Sequence, residues 1–308
     1  MLLWPWQYSA MFTAALLVAC LATAPEAPVA PVTDDARAAS LTPSPPAAAD
    51  PEGAQAPVAA SRPDLLTYSW PLDGAIVLAT GSGWVSSELL KSELAPSRCK
   101  WCSQNGFDNA VTRSLAWQNI EAVATVGDIT GFVATPLATI GALALASGSE
   151  DRLDEMPANV LLMLEAVTVS SALNQLVKHT VGRERPFVAD LPPELKGTTK
   201  HPADNNLSFY SGHSNLVFAL AVSAGTIAHI RGYEGEPYVW GAGLPLAAFV
   251  AYSRIAAKKH YLSDVLLGSA AGAAIGFALP WFFHKKADGG ATLTIAPMPN
   301  GAALAGRF

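Results

Sequence analysis

From residue 119 onward, apolar residues gather into long segments parted by short polar turns. Residues 129–149 carry no charged side chain, and residues 158–177 carry only Glu165. Further apolar runs extend from the triplet Ser211, Gly212, His213 to about residue 230, then over 237–253 and 265–283. Strict alternation is poor in all of them. Ala, Leu and Gly outnumber Thr, Tyr and Ile, so the runs predict helices rather than strands. Small residues recur, as in GSAAGAAIG at 268–276, and allow helices to approach closely. The expected fold class is all-α, a bundle of about five or six helices over residues 119–286.

Several of these segments reach the ~20 residues that cross a bilayer. The turn SGSEDRLDEMP at 147–157 is acidic, and most Lys and Arg lie at the opposite helix ends. If those basic ends face outward they run against the positive-inside tendency. A soluble or peripheral bundle therefore stays open beside the membrane-embedded one that segment length favours.

The flanking regions read differently. Residues 1–24 have the form of an export leader, with an apolar stretch at 11–19 and an A-x-A cleavage pattern ending at Ala24. The run LVAC at 17–20 also resembles a bacterial lipobox, in which Cys20 is lipidated. No Lys or Arg precedes the apolar stretch, so an uncleaved anchor is a third reading. Residues 25–63 are dominated by Ala and Pro and predict a disordered, extended tether. Residues 64–118 form an N-terminal extension containing Cys99 and Cys102 as C-K-W-C. One such pair offers two thiolates where a structural zinc needs four ligands, and an exported protein favours a local disulfide. In the tail, 287–308, two short alternating runs flank Pro-Asn-Gly and predict a small β appendage.

Composition narrows the function. The 308 residues are 51% hydrophobic, enough to bury a sizeable core, and only 14% are charged. A formal net charge of −6 gives no footprint for nucleic acid, so no nucleic-acid partner is expected.

Polar residues that interrupt the apolar pattern cluster at three helix ends. In KHTVGRERPF, Lys178 and Arg185 are seven residues apart, about two helical turns, and suit phosphate oxygens as a point charge and a planar fork. A solvated helix end is an equal reading of this segment alone. In FYSGHSN, Ser211 and Gly212 open a helix whose unpaired N–H groups attract anions, and His213 sits in the first turn. By itself this is a cap and a turn. In SRIAAKKHYLSD, Arg254 ends one segment while His260 and Asp264 begin the next, four residues apart on one helical face. That spacing lets the carboxylate accept an imidazole proton and leaves the other nitrogen as a nucleophile.

K-x-x-x-x-x-x-R-P at 178–186, S-G-H at 211–213 and S-R-x-x-x-x-x-H-x-x-x-D at 253–264 match, in order, the three-part signature of the type 2 phosphatidic acid phosphatase superfamily. That superfamily also includes bacterial non-specific acid phosphatases and vanadium haloperoxidases. The resemblance covers residues 119–284; the departure is Tyr210, where many members have Pro. It implies that His260 attacks phosphorus, that Asp264 orients it, and that His213 protonates the leaving oxygen. It further implies that Lys178, Arg185, Arg254, Ser211 and Gly212 hold the phosphoryl oxygens. No metal or other cofactor is implied, and no Asp/Glu cluster with metal-binding spacing is seen in the sequence.

The expected function is a metal-independent phosphatase acting on a lipid phosphate or pyrophosphate through a phosphohistidine. Its expected place is the cell envelope, membrane-embedded or membrane-associated, with the catalytic face in the periplasm. A soluble periplasmic acid phosphatase is the nearest alternative, and a vanadium-dependent haloperoxidase is a further one. Activity on lipid phosphates against soluble esters separates the first two, and vanadate-dependent halogenation marks the third.

Overall fold

The computed structural model describes residues 65–286 throughout and the backbone of residues 292–298 and 301–307. The leader, Cys20 and the tether fall outside the described residues, as do Pro299 and Asn300 of the tail turn.

Six long helical stretches build the described chain, in keeping with the all-α expectation. Three helices lie ahead of the predicted bundle: α1 (Trp70–Leu89), the single turn α2 (Lys91–Leu94) and α3 (Gly106–Leu115). Then α4 (Ile120–Ile129) runs through a π turn, Thr130–Ala134, into α5 (Thr135–Gly148). They are followed by α6 (Met156–Val181), the short α7 (Pro186–Ala189), α8 (Gly212–Arg231), α9 (Glu236–Ala256) and α10 (Leu262–Ala278). A second π segment, Leu279–His284, extends α10. Two strands, β1 (Thr292–Met298) and β2 (Gly301–Arg307), pair antiparallel.

The helix α1 was not legible in the sequence, because Gly, Ser and Trp interrupt any apolar period. Packing on α6 holds it: Thr80 Oγ1 donates to Thr168 Oγ1 at 2.8 Å, and Gly81 faces the Thr168 methyl. Its start is ordinary local chemistry. Ser69 accepts from the Leu72 amide, Asp73 accepts from the Ser69 amide at 2.7 Å, and Pro71 occupies the first turn.

Helix α8 is the axis of the bundle, surrounded by α5, α6, α9 and α10. Along its most apolar window 83% is buried, against 28% for the α4–α5 stretch and for α10. The close approach of α10 to α8 depends on the small-residue pattern. A Cβ on Gly268, Gly272 or Gly276 would run into the backbone oxygens of Ser211, Asn215 and Ala219. The outer helices leave Leu78, Leu137, Leu145, Leu266 and Phe282 exposed. Five stretches are long and apolar enough to cross a membrane: Ile120–Gly148, Leu153–Val181, Gly212–Arg231, Glu236–Ala256 and Leu262–His284. An apolar exterior around a helical core is what a lipid surrounding requires, and it supports a membrane-associated bundle.

The acidic turn is tied down at one end of the bundle. Arg152 Nη2 lies 3.0 Å from Glu155 and its Nη1 3.2 Å from Glu150, and Nη1 also donates to the Arg231 carbonyl at 3.0 Å. All three sequence motifs lie at the other end.

Candidate functional site

Helix α6 stops at Gly182, which adopts φ +59° and turns the chain out of the helix. Lys178 lies in the last turn and is buried. Among the described residues, no carboxylate comes within ion-pair distance of its ammonium group. What stands there instead is Gly212: a Cβ at that position would lie 2.9 Å from Lys178 Nζ and 2.9 Å from Asn174 Oδ1. The first and second motifs thus meet where glycine leaves room, and a buried cation faces the N-terminus of α8.

Ser211 caps that helix, accepting from the Ser214 amide at 3.4 Å and the Ser214 hydroxyl at 2.9 Å. The cap and turn foreseen for this triplet are both present. Tyr210 presents its carbonyl to Asn174 Nδ2 at 2.9 Å. Its ring is buried, and burial raises the phenol above its usual range. The Ser211 amide donates to the Asp264 carbonyl at 3.0 Å, which joins the second motif to the third.

His213 Nε2 lies 3.0 Å from Asp128 Oδ1, though off the line a hydrogen bond needs. Arg254 Nη1 donates to the same oxygen at 2.7 Å, and Nη2 donates to the Ala124 carbonyl at 2.9 Å. Gly127 permits this, because a Cβ there would overlap Arg254 Nη2 and Ser253 Oγ. The sequence reading missed Asp128. Its signal was available: after Glu121, it is the one charged residue before Glu150.

The expected bond between His260 and Asp264 is not formed. His260 Nδ1 lies 2.6 Å from the Ser208 carbonyl and 3.9 Å from Asp264 Oδ2. Asp264 instead accepts from Ser208 Oγ at 2.6 Å and from the Tyr261 amide at 3.0 Å, while its other oxygen takes Arg183. Helical spacing places the two residues on one face, but the carboxylate serves the loop that holds the imidazole. Burial, with help from the charges of Arg185 and Lys178 and against the pull of Asp264, pushes the His260 imidazole down to about 3. The ring is neutral at ordinary pH. With Nδ1–H given to Ser208, the Nε2 lone pair is free.

Arg185 Nε donates to the Asp204 carbonyl at 2.8 Å, and Nη2 lies 3.8 Å from Asp204 Oδ1. Lys91 of the N-terminal extension reaches the same carboxylate at 3.0 Å. Burial alone would raise Asp204, but Arg185 and Lys91 hold it well below the usual carboxylate range. Lys259 adds a further cation, depressed by burial and by the neighbouring charge of Arg185.

A second missed residue is Arg183, fully buried between the Trp101 and Tyr261 rings, 4.2 Å from each centroid. It donates to Asp264, to Ser263 Oγ at 2.8 Å and to Asp108 at 2.9 Å. Trp101 is held by the C-K-W-C loop, where Cys99 and Cys102 form the expected local disulfide. Lys100 and Trp101 donate to the Gly182 carbonyl at 2.9 and 3.3 Å, so this loop also caps α6.

The arrangement combines a buried cation at a helix N-terminus, two arginines, a free imidazole nitrogen and a second histidine beside a carboxylate. The PAP2 superfamily pattern matches residues 159–288. Phospholipid phosphatase 2 of Bos taurus is 30% identical over 132 residues, 36% of this chain and 46% of the relative. Lipid A 1-phosphatase of Porphyromonas gingivalis is 38% identical over 69 residues, 22% of this chain and 15% of that protein. The chain spans about half the length of the phospholipid phosphatases it matches. A transmembrane PAP2 type phosphatidylglycerolphosphate phosphatase from Bacillus subtilis superposes with a TM-score of 0.41 at 19% identity, covering 67% of this chain and 93% of that one. The stretch that carries all three motifs, residues 159–288, is thus the one that matches the PAP2 superfamily.

Proposed function

We propose that the protein is a membrane-embedded phosphatase that hydrolyses a lipid phosphate or pyrophosphate through a phosphohistidine. The observation that carries this reading is the buried Lys178 facing Gly212, with no carboxylate in ion-pair contact among the described residues and with Glu88 and Asp204 acting on it only from beyond that distance. A buried ammonium with no carboxylate in contact is costly unless a bound anion completes it. The helix N-terminus beside it adds N–H donors aimed the same way.

In the proposed reaction, Lys178, Arg185 and Arg254 take the non-bridging phosphoryl oxygens, with Ser211 and the Gly212 amide beside them. His260 Nε2 attacks phosphorus in line, while Nδ1–H stays on the Ser208 carbonyl and takes up the positive charge that develops. The P–O bond to the leaving group breaks as His213 gives it a proton. His213 then removes a proton from the water that cleaves the P–N bond. Fixed cations stabilise the charge spread over the equatorial oxygens of each transition state. Asp264 acts through Ser208 and Arg183 and is a positioning residue. No metal ion enters these steps.

Two features favour a lipid substrate at the cell envelope over a soluble ester. The outer helices of the bundle are apolar on their exposed faces, so an acyl or prenyl chain can lie along them while its phosphate reaches the cradle. The Cys99–Cys102 disulfide lies at the same end of the bundle, and disulfides persist in oxidising compartments. The names of the relatives, phospholipid phosphatase and lipid A 1-phosphatase, agree with this substrate class.

The test is phosphate release by the purified protein in detergent micelles, from phosphatidic acid, phosphatidylglycerol phosphate, undecaprenyl pyrophosphate and soluble phosphomonoesters. Lipid turnover that disappears in His260→Ala is expected. Turnover of soluble esters with every lipid ignored would overturn the lipid assignment, and full activity in His260→Ala would overturn the mechanism.

A further inference from the structure

Far from the phosphate cradle, the fold gathers three ionisable residues that the proposed chemistry does not use. Asp73 of α1, Glu165 of α6 and His284 at the end of the α10 extension place one donor atom each within 4.8 Å of one another. All three are buried, at 4%, 4% and 6% exposure. Glu165 lies 13 positions before Lys178 on α6, about 20 Å along the helix axis. The sequence conceals the cluster, since Glu165 and His284 are 119 positions apart and α1 has no visible period.

Three observations point the same way. First, His284 Nδ1 lies 2.9 Å from the Thr67 carbonyl, which fixes Nδ1 as a donor and turns Nε2 toward the carboxylates, 3.0 Å from Glu165 Oε2. A metal-binding imidazole is usually held in this way, its second nitrogen bonded to a carbonyl. Second, the charges do not balance without a cation. Two buried carboxylates against one imidazolium leave an excess negative charge, and among the described residues no Lys or Arg pairs with either acid. A divalent ion neutralises both carboxylates and leaves the imidazole uncharged. Third, the ligands come from elements that need joining. Thr67 pairs with His284 through its amide (2.6 Å) and hydroxyl (3.0 Å), and the Lys286 amide donates to the Leu65 carbonyl at 2.9 Å. The start of the described chain is therefore stitched to the end of the bundle at this point.

We infer that Asp73, Glu165 and His284 form a structural site for a divalent first-row metal ion, with Zn²⁺ or Mn²⁺ fitting the mixed imidazole and carboxylate donors. The ion lies about 2 Å from each donor and clamps α1 and the end of the α10 extension onto α6. Because the ligands must be deprotonated, binding releases the protons held by the cluster. The ion takes no part in phosphoryl transfer.

The experiment uses the full chain, purified in detergent without chelator, with metal content measured by plasma mass spectrometry. About one equivalent of zinc or manganese per chain is expected. Stripping it should lower Tm, and adding back Zn²⁺ or Mn²⁺ should restore roughly 5 °C or more. Glu165→Gln and His284→Gln should lose both the bound metal and the Tm response, while Lys178→Met keeps them. Asp73→Asn serves as a third ligand variant should one of these not fold, and the wild-type measurement needs no variant. Absence of bound metal together with no Tm response to either ion overturns the inference. So does full metal retention in a folded His284→Gln protein.

Discussion

The carbonyl oxygen of Ser208 lies 2.6 Å from His260 Nδ1, so a backbone group, set by its loop, fixes which imidazole nitrogen carries the proton. The same residue's hydroxyl donates to Asp264 at 2.6 Å. Ser208 therefore links His260, the proposed nucleophile, to the buried carboxylate of Asp264 through two different atoms.

That relationship has a consequence for stability. Burial pushes His260 down to about 3 in the folded protein, against 6.5 for the free side chain. As pH falls through 6.5 the unfolded chain takes up a proton that the folded chain refuses. The stability present above 6.5 is therefore lost progressively toward pH 3. The Tm of the wild type should fall more steeply between pH 6.5 and 4 than that of His260→Gln, which has no such proton to bind. Parallel curves for the two proteins would show that His260 is not held neutral by the fold.

Asp128 divides its Oδ1 between Arg254, at 2.7 Å, and His213, at 3.0 Å. In the proposed reaction it supports the general acid but competes with phosphate for the arginine. In Asp128→Asn the acid loses its carboxylate while Arg254 is released to the substrate. We expect kcat to fall about 100-fold, the scale of a general acid–base contribution, and KM to fall with it. Inorganic phosphate should inhibit the variant more tightly. A raised KM with unchanged kcat would show that Asp128 only shapes the entrance.

Gly127 and Gly131 lie one turn apart in α4 and the π turn, and they make opposite predictions. A Cβ on Gly127 would overlap Arg254 Nη2 and Ser253 Oγ, whereas one on Gly131 meets Val250 at 3.5 Å, an ordinary contact. Gly127→Ala should displace the arginine and cost roughly 1–3 kcal/mol of stability through overpacking. It should also lower kcat/KM by more than tenfold. Gly131→Ala should leave both close to wild type. The comparison needs only melting curves and initial rates.

The bundle and its motifs were legible because apolar segments declare helices by length, and because the motif residues interrupt them at their ends. The parts that were not legible depend on contacts across the fold. His260 and Asp264 have the spacing of a bonded pair, but spacing cannot reveal that the 208–210 loop enters between them and takes the proton. Arg183 lies between the recognised Lys178 and Arg185, yet its role needs Trp101 and Asp108, which come from an extension with no motif of its own. Helix α1 had no periodic signal because α6 supplies what holds it. Asp128 was visible as a lone charge in an apolar stretch, and only the fold brings it to His213.

Trp101 provides the most direct test of whether the N-terminal extension belongs to the site. Its ring lies 4.2 Å from the Arg183 guanidinium carbon, opposite Tyr261, and its backbone carbonyl accepts from the Glu184 amide at 3.2 Å. Removing the ring exposes one face of a buried guanidinium that must stay fixed to hold Asp264. A cation–π contact of this kind contributes about 0.5–2 kcal/mol, and the lost packing adds to it. Trp101→Ala should therefore destabilise the protein by roughly 1–3 kcal/mol. It should also lower kcat with little change in KM, because no substrate contact is removed. Trp101→Phe, which keeps an aromatic face, should recover most of both. Reducing the disulfide should have a smaller effect than Trp101→Ala, since the C-K-W-C loop is still held by its bonds to the Gly182 carbonyl. If reduction and Trp101→Ala lowered Tm and kcat equally, the disulfide rather than those bonds would hold the ring over Arg183.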